Sequence, residues 1–192
     1  MKRHGWLVTG MMMAASAACL GGQDRLTVLV VDQTGVASGD IANAIDLSRG
    51  VFDILGVKTS WSVCYRGETC VTPADHFIRM SVVPWSKGTI LGFARMDSVA
   101  GGHPQAYVFY SSAQTLAERT HHPLSLALGC VMVHEMLHLM GLEHAPYGIM
   151  RTAFDSQELA SVTHNPGLSP SQLKQFRAGV SRLNAMSLAA AR

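Results

Sequence analysis

The apolar and polar residues of this chain recur with two different periods, and the shorter period predicts five strands. Runs rich in Val, Ile, Thr and aromatic residues are bounded by glycine, proline and small polar residues, as strands commonly are. The predicted strands span residues 26–31, 59–65, 76–83, 89–96 and 105–110. Gly92 interrupts the fourth run, which indicates a bulge or a close approach of another backbone at that point.

The longer period predicts helices. Apolar residues at helical spacing cover 37–55, where Asp40 is placed to cap the helix and Gly56 to end it. Residues 124–140 are apolar on nearly every face, which is typical of a buried helix, and Pro123 suits its first turn.

Beyond the buried helix, the chain becomes polar before a last helix begins. Residues 145–150 are predicted to form a turn, and 151–166 an irregular stretch with one helical turn over 155–159. Ser169 and Gln172 then form a capping box, which predicts a C-terminal helix. The apolar face of this helix consists of Leu173, Phe176, Val180 and Leu183.

The composition fits a single folded domain. The 192 residues are 48% apolar and 15% charged, with a formal net charge of +2. This is enough apolar material for one core, which we expect over 23–186. Neither a long basic run nor an internal repeat is present, so the sequence argues against nucleic-acid binding.

The N-terminus has the pattern of an export signal. Lys2 and Arg3 precede an apolar stretch over 6–18, whose last three residues are small enough for signal-peptidase cleavage. We therefore expect a signal peptide over 1–18 and a secreted or periplasmic protein. Cys19 stands where a bacterial lipoprotein carries its lipid, so a form anchored at the cell envelope is the alternative and the only expected contact with a membrane.

The cysteines predict one disulfide. Cys64 and Cys70 enclose a turn-like loop, and export favours a bond between them over free thiols or a zinc-binding pair. Cys130 lies one helical turn before His134 on the predicted buried helix. This is the setting of an inert core thiol.

Residues 134–144 carry the pattern that organises the chain, H-E-x-x-H-x-x-G-x-x-H. His134 and His138 are four residues apart, so on a helix their imidazoles share one face and can bind one Zn²⁺. Gly141 permits a sharp turn that returns His144 as a third ligand, and a fourth position stays open for water, as in catalytic zinc sites. A buried helix with merely hydrogen-bonded histidines is the alternative, but it would leave Gly141 and His144 as coincidences.

Together with Met150, six residues beyond the last histidine, this pattern resembles that of the metzincin zinc endopeptidases. Within that clan the chain is most similar to a minimal bacterial matrixin, a matrix-metalloprotease-like catalytic domain. The match is specific over 134–150 and weaker over 90–94, at Gly101-Gly102 and at Leu168-Ser169. The resemblance implies an α+β fold: a twisted, mostly parallel five-stranded sheet with an antiparallel edge strand, packed on an N-terminal helix and a zinc-binding helix, plus a C-terminal helix.

The resemblance also implies residue roles and an activity. The zinc ligands would be His134, His138 and His144. Glu135 would be the general base that activates a zinc-bound water, and Met150 would form a turn beneath the metal. An extended peptide would bind along the edge strand, at Gly92, Phe93, Ala94 and Arg95. The expected protein is a monomeric, exported zinc endopeptidase that hydrolyses peptide bonds in peptide or protein substrates.

The sequence departs from the matrixin pattern in two respects. The His/Asp-rich loop that holds a structural zinc ion and calcium ions is missing, and Tyr107 stands about where one of its histidines would be. We therefore expect one catalytic zinc ion and no structural metal. No inhibitory segment with a cysteine-switch motif fits between the signal region and the first strand, so we expect no latency from a propeptide.

Two other functions are compatible with the same residues. A non-catalytic zinc-containing envelope protein could use this fold to bind a peptide or protein partner, although such a scaffold has no need of Glu135. A peptidase or amidase of narrow specificity fits the small size as well as a general proteinase does.

Overall fold

The computed structural model of the chain describes residues 25–35, 38–73, 77–85, 90–96 and 102–190, with side chains up to residue 186. The predicted signal peptide over 1–18, Cys19 and Gly101 lie outside the described residues. So do the first residues of two predicted strands, His76 and Thr89.

A single five-stranded sheet forms the centre of the described molecule. Its strands are β1 (Arg25–Asp32), β2 (Lys58–Cys64), β3 (Ile78–Val83), β4 (Gly92–Arg95) and β5 (Gln105–Phe109), in the spatial order β2-β1-β3-β5-β4. β1 runs parallel to β2 and β3, β3 runs parallel to β5, and only the terminal strand β4 is antiparallel to its neighbour. The predicted sheet, mostly parallel with one antiparallel edge strand, is confirmed.

Five α-helices and one short 3₁₀ turn complete the described fold. They are α1 (Ser38–Ile54), α2 (Tyr110–Thr120), α3 (Leu124–Leu139), the 3₁₀ turn Gly148–Met150, α4 (Ser156–Val162) and α5 (Pro170–Ala190). Gly56, with φ of +82°, follows the end of α1 as expected. Asp40 was wrongly placed as the cap of α1: it lies inside the first turn, where its charge still favours the positive end of the helix.

Capping boxes begin both helices that follow the 3₁₀ turn, and the one at Ser169 was predicted from the sequence. Asp155 caps α4 and forms a capping box with Glu158. Ser169 and Gln172 form the reciprocal bonds of a second box before α5, with Gln172 N donating to Ser169 Oγ over 3.2 Å. These side chains satisfy backbone groups that the first turns of the helices leave without partners.

Helix α2 was not predicted from the sequence. It is a polar helix whose buried face consists of Ala113, Leu116, Ala117 and Thr120. Its first residue, Tyr110, was assigned to the fifth strand, and its N-cap, Phe109, provides no side-chain hydrogen bond. Strand β5 therefore continues directly into α2, and no Ser, Thr, Asp or Asn marks the N-cap of the helix.

Helix α3 is buried almost throughout and contacts both the sheet and α1. α1 and α3 cross closely at Gly129, where a Cβ would lie only 2.9 Å from the carbonyl oxygen of Ala44. At the end of α3, Gly179 of α5 packs against Met140, and a Cβ there would lie 2.2 Å from the Met140 carbonyl oxygen. These two contacts fix α3 between α1 and α5 and beneath β4.

The predicted disulfide between Cys64 and Cys70 is present, with Cα atoms 5.2 Å apart. It closes a loop at the carboxyl end of β2. Cys130 is a free thiol with no exposed surface, as expected. Within the described ranges, no helix is both long and apolar enough to cross a membrane.

Candidate metal centre

The last turns of α3 and the chain just beyond them bring three histidines together. His134 and His138 lie one turn apart on α3, with their Nε2 atoms 3.0 Å from each other. Gly141, with φ of +90°, ends the helix: its amide donates to the His138 carbonyl, and the Leu142 amide donates to the Leu137 carbonyl. These are the two bonds of a Schellman motif.

The turn at Gly141 returns the chain to the end of α3. His144 Nε2 lies 3.3 Å from His134 Nε2 and 3.2 Å from His138 Nε2. Among the described residues, this is the one group of at least three His, Cys, Asp or Glu side chains close enough to hold a metal ion. The sequence-predicted ligands are thus brought together at one point.

Backbone carbonyls determine which ring nitrogens face that point. His134 Nδ1 donates to the Ile149 carbonyl over 2.7 Å, and His138 Nδ1 donates to the Leu142 carbonyl over 2.7 Å. A carbonyl oxygen only accepts, so each proton lies on Nδ1 and each Nε2 carries a lone pair. Lone pairs of neutral imidazoles cannot hydrogen-bond to one another, and a cation among them removes the conflict.

The spacing of the nitrogens suits a small tetrahedral ion. Zn²⁺ binds imidazole at about 2.0–2.1 Å, so two nitrogens of one tetrahedral site lie roughly 3.3 Å apart. The three Nε2 separations here are 3.0–3.3 Å. Burial lowers the pKa of His134 to about 4 and also lowers that of His138. Both imidazoles are therefore neutral at pH 7, the form that binds a metal.

Glu135 lies beside these histidines in a space that glycine provides. The side chain is 3% exposed, and within the described part of the chain its buried Oε2 has no hydrogen-bond partner. Burial raises its pKa to about 8. A Cβ on Gly92 would lie 2.7 Å from Glu135 Oε1 and 2.4 Å from the Tyr107 carbonyl oxygen, so only glycine fits at position 92.

An open cleft of about 620 Å³ contains the histidines and Glu135. Strand β4 forms one side through Gly92, Phe93 and Ala94, and the segment from Arg151 to Phe154 forms the other. Arg95, the fourth residue predicted to bind substrate, does not line the cleft. Because β4 is the terminal strand of the sheet, one of its edges pairs with no other strand of that sheet.

Met150 is buried at the end of the 3₁₀ turn, and its carbonyl accepts a hydrogen bond from the Ala145 amide over 2.9 Å. The turn predicted over 145–150 is therefore present. The turn contacts the centre through Ile149, the residue before Met150, because the Ile149 carbonyl accepts a hydrogen bond from His134. The role of Met150 itself stays a prediction.

Sequence reasoning missed three groups at this centre. The carbonyls of Leu142 and Ile149 orient two imidazoles, but any residue has a carbonyl, so no residue type marks them. Phe154 packs edge-on against the His134 ring, with ring centroids 5.9 Å apart. It is a lone aromatic residue in a polar stretch, and that isolation is a signal that could have identified it.

No protein-family model matches the sequence, and no curated protein sequence matches it either. Solved structures do match its fold. An archaemetzincin from Methanopyrus kandleri shares 14% sequence identity at a TM-score of 0.54, over 83% of this chain and 97% of that one. A zinc-dependent peptidase from Methanocorpusculum labreanum shares 16% identity at a TM-score of 0.52, over 78% of this chain and 99% of that one.

A third similar structure is metalloproteinase-II from Bacteroides fragilis, with 15% identity and a TM-score of 0.54. The match covers 81% of this chain but only 52% of that protein, so this chain spans about half its length. At such identities the similarity shows the fold alone. The chain therefore has a metzincin-like zinc-metallopeptidase fold, with a three-histidine centre at the end of its central helix.

Proposed function

We propose that this chain is a zinc-dependent endopeptidase. One observation carries the proposal: the Nε2 atoms of three histidines converge beside a buried carboxylate, in a cleft that is also lined by the terminal strand of the sheet. A metal, a base and a place for an extended peptide are the three parts that such a hydrolysis needs.

The donor set supports zinc as the metal. Three neutral imidazoles with no carboxylate or thiolate among them are the ligands of known catalytic zinc sites, which leave one position open. When bound, Zn²⁺ would favour the ionised form of the neighbouring carboxylate, polarise the scissile carbonyl and lower the pKa of a water toward about 7.

Glu135 is the group of this chain that moves the proton. Its Oε2 accepts no hydrogen bond from the described protein and is therefore free to take a proton from the attacking water. The same oxygen then delivers that proton to the amine that leaves. Gly92 lies against this carboxylate, and its lack of a side chain leaves room for Glu135 Oε1 and Cγ.

Strand β4 binds the substrate backbone in this proposal. Its free edge offers amide and carbonyl groups at Gly92, Phe93 and Ala94, with Arg95 at the end of the strand. A peptide that adds as another strand is held on both sides of the scissile bond and needs no free terminus. This mode supports an endopeptidase. The matrixin-like subtype is also part of the proposal and is supported by the sequence pattern over 134–150.

Export of the protein is a further part of the proposal. The Cys64–Cys70 disulfide supports an oxidising compartment, and the sequence pattern over 1–18 supports a signal peptide. Lipid attachment at Cys19 would make the protein envelope-anchored, and mass spectrometry of the mature N-terminus distinguishes the two forms.

Cleavage of a peptide library, read by mass spectrometry, tests the proposed activity. We expect the zinc-loaded protein to cut peptides internally, and Glu135→Gln or a chelator to abolish cleavage while Glu118→Gln leaves it unchanged. Glu118 is an exposed residue of α2 whose side chain accepts a hydrogen bond from Gln114 and lines neither cavity, so it controls for loss of one charge. Bound zinc without cleavage of any peptide would instead indicate a non-catalytic binding protein.

A further inference from the structure

A second cavity of about 440 Å³ adjoins the cleft of the metal centre. We call it the α2 pocket and define it by Leu91, Ser111, Ser112, Thr115, Arg119 and Thr152. Leu91 and Thr152 line both cavities, so the two cavities adjoin at these residues, which form the wall between them. A peptide held along β4 and leaving the centre past Leu91 therefore enters the α2 pocket.

One face of α2 forms the floor of this pocket. Ser112, Thr115 and Arg119 recur at helical spacing on that face, and Ser111 and Ser112 lie in the first turn. That turn lacks a side-chain cap, and its Ser111 amide donates to the Pro84 carbonyl over 3.1 Å. The positive end of the helix dipole lies at this turn. Within the described part of the chain, the hydroxyls of Ser111 and Ser112 make no hydrogen bond of their own.

The guanidinium of Arg119 supplies a full positive charge, and no carboxylate among the described residues forms an ion pair with it. Its one hydrogen bond in the described structure goes from Nη2 to the Phe154 carbonyl over 3.2 Å. Guanidinium has five N–H donors, so four stay available. The neighbouring Glu118 turns to Gln114 on a different face of the helix.

Arg151, the other arginine at the cleft, differs in this respect. It pairs with Glu158 and lies 3.4 Å from Asp155 Oδ2, so its charge is already balanced. Of the two described arginines that line these cavities, Arg119 is therefore the one whose charge a ligand can still neutralise. Its bond to Phe154 also fixes the guanidinium beside the wall between the two cavities.

We propose that the α2 pocket is a substrate subsite for a carboxylate, and that Arg119 is the residue that selects it. This inference rests on the proposed peptidase function. The carboxylate belongs to a substrate residue a few positions from the scissile bond, on the side that passes Leu91 and Thr152. It is either the side chain of Asp or Glu or the C-terminal carboxylate of a short peptide.

Matched peptides test this subsite on the zinc-loaded protein. Once the library has located the cleaved bond, peptides with Glu or Gln at each flanking position are compared, as are peptides with a C-terminal acid or amide. We expect one position, or the C-terminus, at which the acid raises kcat/KM by about tenfold, the scale of one charge-assisted hydrogen bond at a partly exposed site. The two peptide series distinguish the two sources of the carboxylate.

Variants of Arg119 assign the preference. Arg119→Gln should remove the advantage of the acidic peptide and leave kcat/KM for the Gln peptide within about twofold of the original value, whereas Arg119→Lys should keep part of the advantage. Arg177→Gln, the same change on an exposed residue of α5, should alter neither peptide. Equal loss for both peptides in Arg119→Gln would overturn the inference, since it would assign Arg119 to supporting the Phe154 segment.

Two further measurements keep the inference testable if Arg119→Gln unfolds or if no peptide is cleaved. In the unaltered protein, the advantage of the acidic peptide should shrink as salt rises from about 0.05 to 0.5 M, because salt screens an exposed charge. Without cleavage the proposed function fails, and anisotropy of labelled peptides then decides the subsite. Equal affinity for the acidic and neutral peptides would refute it.

Discussion

At the scale of single residues, position 92 determines where the carboxylate of Glu135 can lie. The two residues are 43 positions apart, yet a Cβ on Gly92 would lie 2.7 Å from Glu135 Oε1 and 2.8 Å from its Cγ. The flexible carboxylate could move away, but the Tyr107 carbonyl at 2.4 Å belongs to a paired strand and could not. A side chain at position 92 therefore displaces both the strand and the carboxylate of Glu135.

We predict that Gly92→Ala lowers kcat/KM by about 100-fold, since a displacement near 1 Å at a reacting group costs that much. Zinc content should stay at one ion per chain, because the three atoms nearest an added Cβ at position 92 belong to Tyr107 and Glu135 and to none of the three histidines. Peptide cleavage and metal analysis of the same preparation measure the two effects. Full activity in Gly92→Ala would show that Glu135 does not act from the position seen here.

Cys130 provides a second prediction at this scale. The thiol has no exposed surface, and burial raises its pKa to about 12, so it stays protonated and shielded near pH 8. A Cys19→Ser protein, with Cys64 and Cys70 in their disulfide, should therefore give no reaction with Ellman's reagent when folded. It should give one thiol per chain in denaturant. Rapid labelling of the folded protein would mean that α3 opens locally.

At the scale of elements, two helical glycines differ in how closely other parts of the protein pack against them. Gly179 of α5 lies against the backbone of Met140, where a Cβ would come within 2.2 Å of the carbonyl oxygen and 2.6 Å of the Cα. At Gly50, inside α1, no described atom beyond its chain neighbours and the backbone of its own helix lies within 4 Å of an added Cβ. The same substitution therefore tests packing at one position and helix propensity at the other.

We predict opposite effects of alanine at these two positions. Gly50→Ala should raise the free energy of unfolding by up to about 1 kcal/mol, because alanine favours the helix without a clash. Gly179→Ala gains the same propensity but overpacks a rigid contact, at a cost of about 1–3 kcal/mol, so the net effect should be destabilising. Urea unfolding of both variants measures the pair. Stabilisation of both would mean that α5 does not pack closely on Met140.

Helix ends and ligand spacings are predicted well from the sequence where the interacting residues are close to one another along the chain. The histidine spacing on α3, the glycine at 141 and the capping box at Ser169 each follow from contacts within a turn or two of helix. The sequence predicts poorly where the partner is distant in sequence or is backbone. Helix α2 has Ala113, Leu116, Ala117 and Thr120 on its buried face, a helical spacing that was present but lacked a start signal. The approach of Gly92 to Glu135 was indicated only as a close contact with some backbone.

At the scale of the whole molecule, the three histidines join the central helix to the chain that follows it. Two of them lie on α3, whereas His144 lies beyond the turn at Gly141. An ion bound by all three holds the segment after Gly141 against α3. Metal binding and folding of this region are therefore coupled, because the unfolded chain does not bring the three side chains together.

We predict that zinc stabilises the whole molecule by mass action. At about 100 times the dissociation constant, a single site adds about 2.7 kcal/mol to the free energy of unfolding, which should raise Tm by roughly 5–10 °C in a domain of this size. His144→Ala should lose most of this increase, whereas His164→Ala, an exposed histidine outside the centre, should keep it. Calorimetry with and without a chelator measures the shift. An unchanged Tm on zinc addition would contradict a three-histidine site.

One edge of β4 pairs with no other strand of the described sheet, and such an edge favours association between molecules. An unpaired strand edge accepts any extended segment, including the β4 edge of a second molecule or a partly unfolded chain. The exposed side chains of Ile90 and Phe93 beside it increase that risk. Two features limit it: β4 is only four residues long, and it ends in the charged Arg95. A longer or more apolar β4 would therefore lower the solubility of the protein, even if the proposed peptide binding became tighter.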